Sequence, residues 1–134
     1  MSFVMRVRDV RRTFLENDME YMILIYADEQ LYADMPQEEL AAVMADYGRY
    51  AQEMEAAGVL RGGSELAPVH AATTVRLRDG KLVCSDGPFA ETKEQLGGYF
   101  LIACDNLDEA IKWAAKCPSA GHGSIELRPL VNNG

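Results

Sequence analysis

The sequence predicts an α+β fold with a ferredoxin-like layout. β-α-β, a β-hairpin and a second β-α-β place two helices on one face of a mainly antiparallel sheet. Three observations predict it. The apolar run at 21–27, with Tyr21, Ile23, Ile25 and Tyr26, has the length and the β-branched and aromatic content of a buried strand. Leu40, Val43, Met44, Tyr47, Ala51 and Met54 recur at three- and four-residue steps, the stripe of an amphipathic helix. Asp79-Gly80 separates the strand-like runs 73–78 and 81–84 and supplies the positive φ angles of a two-residue hairpin turn.

The elements follow in order. After the first strand, Pro36 sits at the first helical position, with Glu38 and Glu39 near the positive end of the helix dipole. Gly58 then ends that helix. A second strand spans 59–66, weakened by Gly62 and Gly63, which mark a bulge or a close backbone approach; Pro68 closes it. The hairpin comes next, then a buried strand at 99–104. Asn106 caps a second helix, with Glu109 three residues on as a capping box. That helix runs through Ala110, Ile111, Trp113 and Ala114 to about Lys116, and Pro118 stops it. Alternation over 124–130 makes the last strand. The sheet face away from the helices stays apolar, so a two-fold dimer that covers it is expected.

At 134 residues the chain is one domain, large enough for a hydrophobic core. It divides into an extension at 1–18, a folded domain at 19–131 and a polar tail at 132–134. The net charge of −8 argues against nucleic acid, which needs clustered Lys and Arg, and against an anionic membrane surface. No apolar run approaches the roughly 20 residues of a membrane helix. Cys84, Cys104 and Cys117 are odd in number and widely spaced, which gives no disulfide framework and no zinc motif. They read as small apolar residues in a reducing cytoplasm. In 1–18, Arg6, Arg8, Arg11 and Arg12 outnumber Asp9, Glu16 and Asp18 by one charge, which leaves −9 on the rest. The segment is too short in apolar content for a signal peptide. It reads as a poorly ordered extension, or as a helix that docks on a partner subunit.

Asp86-Gly87-Pro88-Phe89 followed by Glu91-Thr92-Lys93-Glu94-Gln95-Leu96-Gly97-Gly98 resembles the DGPF-type members of the YCII-related proteins. The resemblance extends over 20–131. It includes Ala57-Gly58-Val59-Leu60 at the helix exit, Ala72-Thr73-Thr74-Val75-Arg76, Leu107-Asp108-Glu109-Ala110 and the ending Gly123-Ser124-Ile125-Glu126-Leu127-Arg128-Pro129. It implies a dimeric ferredoxin-like α/β-barrel and a bacterial cytoplasmic protein. Some YCII-like relatives resemble enzymes with a His-Asp pair, the His on the first helix and the Asp before a proline at the end of the second. One of them is a dehydrochlorinase of a chlorinated lactone. Here the first helix holds no histidine and Cys117 precedes Pro118, so that pair is not assigned.

The residues themselves offer other candidates. Asp86, on a turn stiffened by Pro88, reads as a general base or a ligand for a cationic or hydroxyl group, and equally as a carboxylate that accepts turn amides. His122, between Gly121 and Gly123, carries an imidazole, the group that changes charge near neutral pH, and would pair with Asp86 if the last strand lies near the turn. As an exposed loop residue it would do nothing. His70, beside Pro68, reads as surface. Lys93, Glu94 and Glu91 form a polar cluster for an anionic or hydroxylated ligand, or a set of weak surface ion pairs. Arg76 and Arg128 are alternative anion contacts whose facing depends on strand register. Gly87, Pro88 and Phe89 shape the turn, and Gly97-Gly98 permits close backbone packing rather than phosphate binding. No nucleotide, serine-elbow or metal motif is present, so neither a metal nor an organic cofactor is expected. The leading expectation is a cytoplasmic homodimer that binds, and by acid–base chemistry transforms, a small organic acid or lactone. The alternative is a non-enzymatic dimeric interaction or regulatory module.

Overall fold

The computed structural model describes residues 19–131, so the expectations for 1–18 and 132–134 lie outside the described residues. Strand β1 (Met19–Ala27) leads into a short helix α1 (Glu29–Ala33) and a long helix α2 (Gln37–Ala56). β2 (Leu60–Glu65), a single 3-10 turn at Val69–Ala71, and the hairpin β3 (Thr73–Arg78) and β4 (Lys81–Asp86) follow. β5 (Gln95–Cys104), helix α3 (Leu107–Ala115), a 3-10 turn at Pro118–Gly121 and β6 (Ser124–Pro129) complete the chain. The four-stranded sheet runs β2-β5-β1-β6, and every pairing in it is antiparallel. That order, with α2 and α3 as crossovers, is the ferredoxin-like α+β fold.

Alternation along β1 decides which face is covered. Tyr21, Ile23, Ile25 and Ala27 are buried, and across the register Ile102 and Cys104 of β5 join them. Tyr50 and Met54 of α2 and Ala110 of α3 close over this face, so both helices lie on one side. Ile23 is 0 % exposed; burying a side chain of that size contributes about 1.5–3 kcal/mol. Tyr50 carries its hydroxyl into the core and satisfies it by donating to the Trp113 carbonyl at 2.7 Å. On the other face Met22 and Leu24 pair with Leu101 and Tyr99, all half-buried.

Local chemistry fixes the element ends. The Glu109 amide donates to Asn106 Oδ1 at 3.0 Å, which caps α3 as the sequence predicts. Pro36 is the cap residue of α2 rather than its first helical residue. Asp79 and Gly80 both take positive φ, the signature of the tight hairpin turn. Two differences from the sequence reading matter for the site. Helix α1 is absent from that reading: its five residues are too few for an apolar stripe and none is buried. It forms because Asp28 Oδ1 accepts from the Gln30 amide and the Gln95 side chain accepts from the Glu29 amide. The fifth strand starts at Gln95, not at 99, so Gly97 and Gly98 lie within it. The hairpin β3–β4 forms its own two-stranded sheet and leaves Cys84 exposed, unlike the buried Cys104 and Cys117. None of the three forms a disulfide among the described residues.

The chain enters β6 through Gly123, whose missing side chain lets the backbone press on Tyr26. A Cβ there would collide with the Tyr26 carbonyl oxygen, which belongs to β1 and cannot rotate away. Gly62 on β2 has open space around its Cβ position. In urea unfolding, Gly123→Ala is expected to cost about 1–3 kcal/mol, the range for forced overpacking, while Gly62→Ala stays within about 0.5 kcal/mol of wild type. Equal costs at both positions would refute the close approach.

Candidate functional site

The apolar stripe of α2 divides its work. Tyr50 and Met54 seal the core, whereas Leu40, Val43, Met44 and Tyr47 roof a cavity of about 710 Å³. Its floor is β2 and β5, where Gly63 and Gly98 leave no side chains to fill it. Neither glycine has room for one. A Cβ on Gly63 would lie 2.7 Å from Phe100 Cδ1 and 2.8 Å from the Tyr99 carbonyl, and one on Gly98 would lie 3.0 Å from the Ser64 carbonyl. The two strands therefore approach as glycine allows, and the opening above them follows. α1 and the Leu66–Pro68 stretch form the sides. Two side chains hold these sides in place. Glu29 Oε2 accepts from the Val69 amide at 2.9 Å, and Gln95 bridges the Glu29 amide to the Thr92 carbonyl.

At one end of the cavity stands a chain of hydrogen-bonding side chains. Ser119, 1 % exposed, has its Oγ 2.5 Å from the Tyr47 hydroxyl and 2.9 Å from the Tyr32 hydroxyl. The Tyr32 hydroxyl also lies 2.8 Å from His122 Nε2, with the two rings edge-on at 5.8 Å. Cys117 Sγ is 3.6 Å from the Tyr47 hydroxyl. Pro118 explains the geometry: it ends α3 and starts the 3-10 turn that folds Ser119 back under α2. Burial pushes the Tyr47 phenol well above its usual range, against a smaller opposing pull from the Ser119 bond. Burial also raises the Cys117 thiol, so it stays protonated and is a poor nucleophile. Tyr47, Tyr32 and Ser119 can donate or accept; nothing here is built to form an anion.

The residues singled out from the sequence are spread more widely. Asp86 is exposed at the end of β4, opposite Thr73, with no side-chain hydrogen bond among the described residues. Gly87 takes φ of +94°, donates its amide to the Ala72 carbonyl at 2.7 Å and accepts from Thr74 Oγ1 at 2.9 Å, which ties off the open end of the hairpin. Pro88, Phe89, Thr92 and Glu94 line a second cavity of about 580 Å³, on the far side of Leu66 and Pro68 from the first. Glu94 Oε1 accepts from Ser124 Oγ at 2.7 Å. Glu91 and Lys93 are exposed on the loop. Arg76 is half-buried on β3; Arg128 is exposed on β6, 2.6 Å from Glu126, whose carboxyl it holds below the usual range. No hydrogen bond or ion pair joins Asp86, Lys93 and His122 among the described residues: His122 meets Tyr32 instead. No group of three or more His, Cys, Asp and Glu converges as a metal site among them either, and none of their helices is long and apolar enough to cross a membrane.

Sequence reasoning passed over Tyr32, Ser119 and the hydroxyl of Tyr47. Tyr47 sat in an apolar stripe, and its polar end was invisible there. The available signal was Cys117-Pro118-Ser119, a helix stop followed at once by a small polar residue.

Comparison with known proteins agrees with the resemblance. The family model of the YCII-related domain matches residues 19–132. The chain is 42% identical over 115 residues to an uncharacterized protein of Rhizobium meliloti (strain 1021), covering 84% of this chain and 93% of that protein.

The raised phenols bear on stability. Tyr47 and Tyr50 both ionise above the ordinary value of 10.0 in the folded state, chiefly because they are buried. The unfolded chain therefore releases these protons first, and their contribution is complete below about pH 10 and lost as pH rises beyond it. The urea midpoint is expected to be equal at pH 8 and 9 and lower at pH 10.5, with a smaller fall in Tyr47→Phe. A midpoint unchanged at pH 10.5 would mean that the phenols are not held neutral by the fold.

Proposed function

The chain belongs to the YCII-related family, and we propose that it binds a small organic molecule in the 710 Å³ cavity and moves protons there along Tyr47, Ser119, Tyr32 and His122. Ser119 carries this reading. A hydroxyl so deeply buried needs partners, and its partners are two phenols that line the cavity. Each hydroxyl holds one proton, so the chain points one way at a time. With Nε2 protonated, His122 donates to Tyr32, Tyr32 to Ser119 and Ser119 to Tyr47, which leaves the Tyr47 proton free to meet a ligand oxygen. With Nε2 bare, every bond reverses. An exposed imidazole at one end and a phenol at the cavity wall at the other suit acid–base chemistry, with no metal or organic cofactor in this reading.

The test is a thermal-shift panel of small lactones, phenols, carboxylic acids and amines. One class is expected to raise Tm, since a ligand at a hundredfold over its Kd adds about 2.7 kcal/mol of stability. Met44→Trp, which fills the cavity from α2, is expected to abolish the shift. No shift from any class, or a shift that Met44→Trp retains, would overturn the reading.

A second reading, a dimeric interaction module, is favoured by the hairpin. Leu77 of β3 and Leu82 of β4 are each 67 % exposed, and Phe89 in the loop beyond is 79 % exposed. Arg76, Arg78 and Lys81 also outweigh Asp79 and Asp86 on this arm, in a chain of net −8. An apolar, slightly basic arm suits the acidic surface of a second copy, with Asp86 and Lys93 at its base. The two readings are compatible. Light scattering is expected to give twice the chain mass of 14.8 kDa for wild type and the single mass for Leu77→Asp; a monomeric wild type would sink the dimer.

A further inference from the structure

The charge of the cavity wall is one-sided. Glu29 and Glu65 line it; His70 is the basic side chain there among the described residues, and neither Lys nor Arg lines it. The residues from 28 to 65, which build α1, α2 and β2 around it, hold nine carboxylates against Arg49 and Arg61. Both cations are committed elsewhere: Arg49 to Asp46, and Arg61 to the carbonyls of Gly58 and Leu60. Glu65 has no hydrogen bond or ion pair on its carboxylate among the described residues. Walls of low polarity focus such a field into the cleft. An organic anion would have to shed water beside two carboxylates with no cation to receive it, which disfavours binding.

The rest of the lining is apolar and aromatic. Leu40, Val43 and Tyr47 come from the roof, and Phe100 from the floor. Aromatic faces attract cations as well as apolar groups. We propose that the cavity takes a ligand with a protonated amine on an apolar body, the amine toward Glu65 and Glu29 and any hydroxyl or carbonyl toward Tyr47 and Ser119. The inference rests on the small-molecule reading above and names its ligand class.

The test uses three molecules of one shape: 3-phenylpropylamine, 3-phenylpropanol and 3-phenylpropanoate, titrated calorimetrically into the full chain at low and at 0.5 M salt. The amine is expected to bind at least tenfold more tightly than the carboxylate, with the alcohol between them. Salt is expected to narrow the gap. Glu65→Gln, at an exposed position whose carboxylate has no partner among the described residues, keeps the fold and is expected to lower amine affinity several-fold while leaving the alcohol unchanged. A carboxylate that binds as well as the amine overturns the inference and leaves the cavity reading intact. Equal amine binding to Met44→Trp would place the amine on the acidic surface instead, and overturns it too. Should none of the three bind, the inference falls, while a hit in another class of the thermal-shift panel would still sustain the cavity.

Discussion

β1 is hydrogen-bonded along both edges, to β5 over its whole length and to β6 over most of it. Everything else is placed relative to that strand. Its strict alternation puts Tyr21, Ile23 and Ile25 under the helices, and a slip of one residue would turn all three outward. Because β5 and β6 occupy both edges of β1, β2 must take the outside of β5, and it reaches that edge only where Gly63 and Gly98 let the backbones close up. The β3–β4 hairpin stands apart as a two-stranded sheet of its own. Where β1 gives out at Ala27, after a register shift between Ile25 and Tyr26, α1 follows at once. The cavity lies at this end, beneath a helix whose core-sealing residues are two turns further on.

The sequence carried the fold well because the relevant signals are local and repeated. The apolar run of β1, the stripe on α2, the Asp-Gly turn and the Asn106 cap each act within a few residues, and each specifies one conformation. It carried the site poorly for the opposite reason. Ser119 meets Tyr47 across 72 positions and Tyr32 across 87, and His122 meets Tyr32 across 90. No spacing rule connects such residues. α1 was hidden in part in the same way, since beside its local Asp28 cap it is anchored by Gln95 and by the Val69 amide. The glycine pairs were legible as close approaches but not as the floor of a cavity, because the emptiness they leave depends on what α2 places above them. The DGPF motif drew attention by its density of ionisable groups. Gly87 and Pro88 do shape the chain there, while Asp86, Glu91 and Lys93 face water.

Exposure ranks the polar contacts. The ion pairs Lys112–Glu109 and Arg128–Glu126 sit in solvent, where screening leaves such pairs little effect on stability. The Ser119 hydroxyl is buried, and leaving a buried group of that kind unpaired costs about 1–3 kcal/mol. The hydroxyl chain is therefore a constraint on the fold as well as a candidate route for protons, and these two roles share the same bonds.

Cys117 stands where the resemblance puts an aspartate before the proline, and Tyr47 of the long helix reaches it at 3.6 Å. Here a phenol and a thiol face each other, both kept neutral by burial. An aspartate at position 117 would be a carboxylate pressed against Tyr47 with no imidazolium on α2 to balance it, and an unbalanced buried charge costs several kcal/mol, on the order of 3–5. A thiol at position 117 avoids that cost. What remains is a neutral, hydrogen-bonding end wall, and among the described residues the carboxylates that face a bound molecule are those of Glu29 and Glu65.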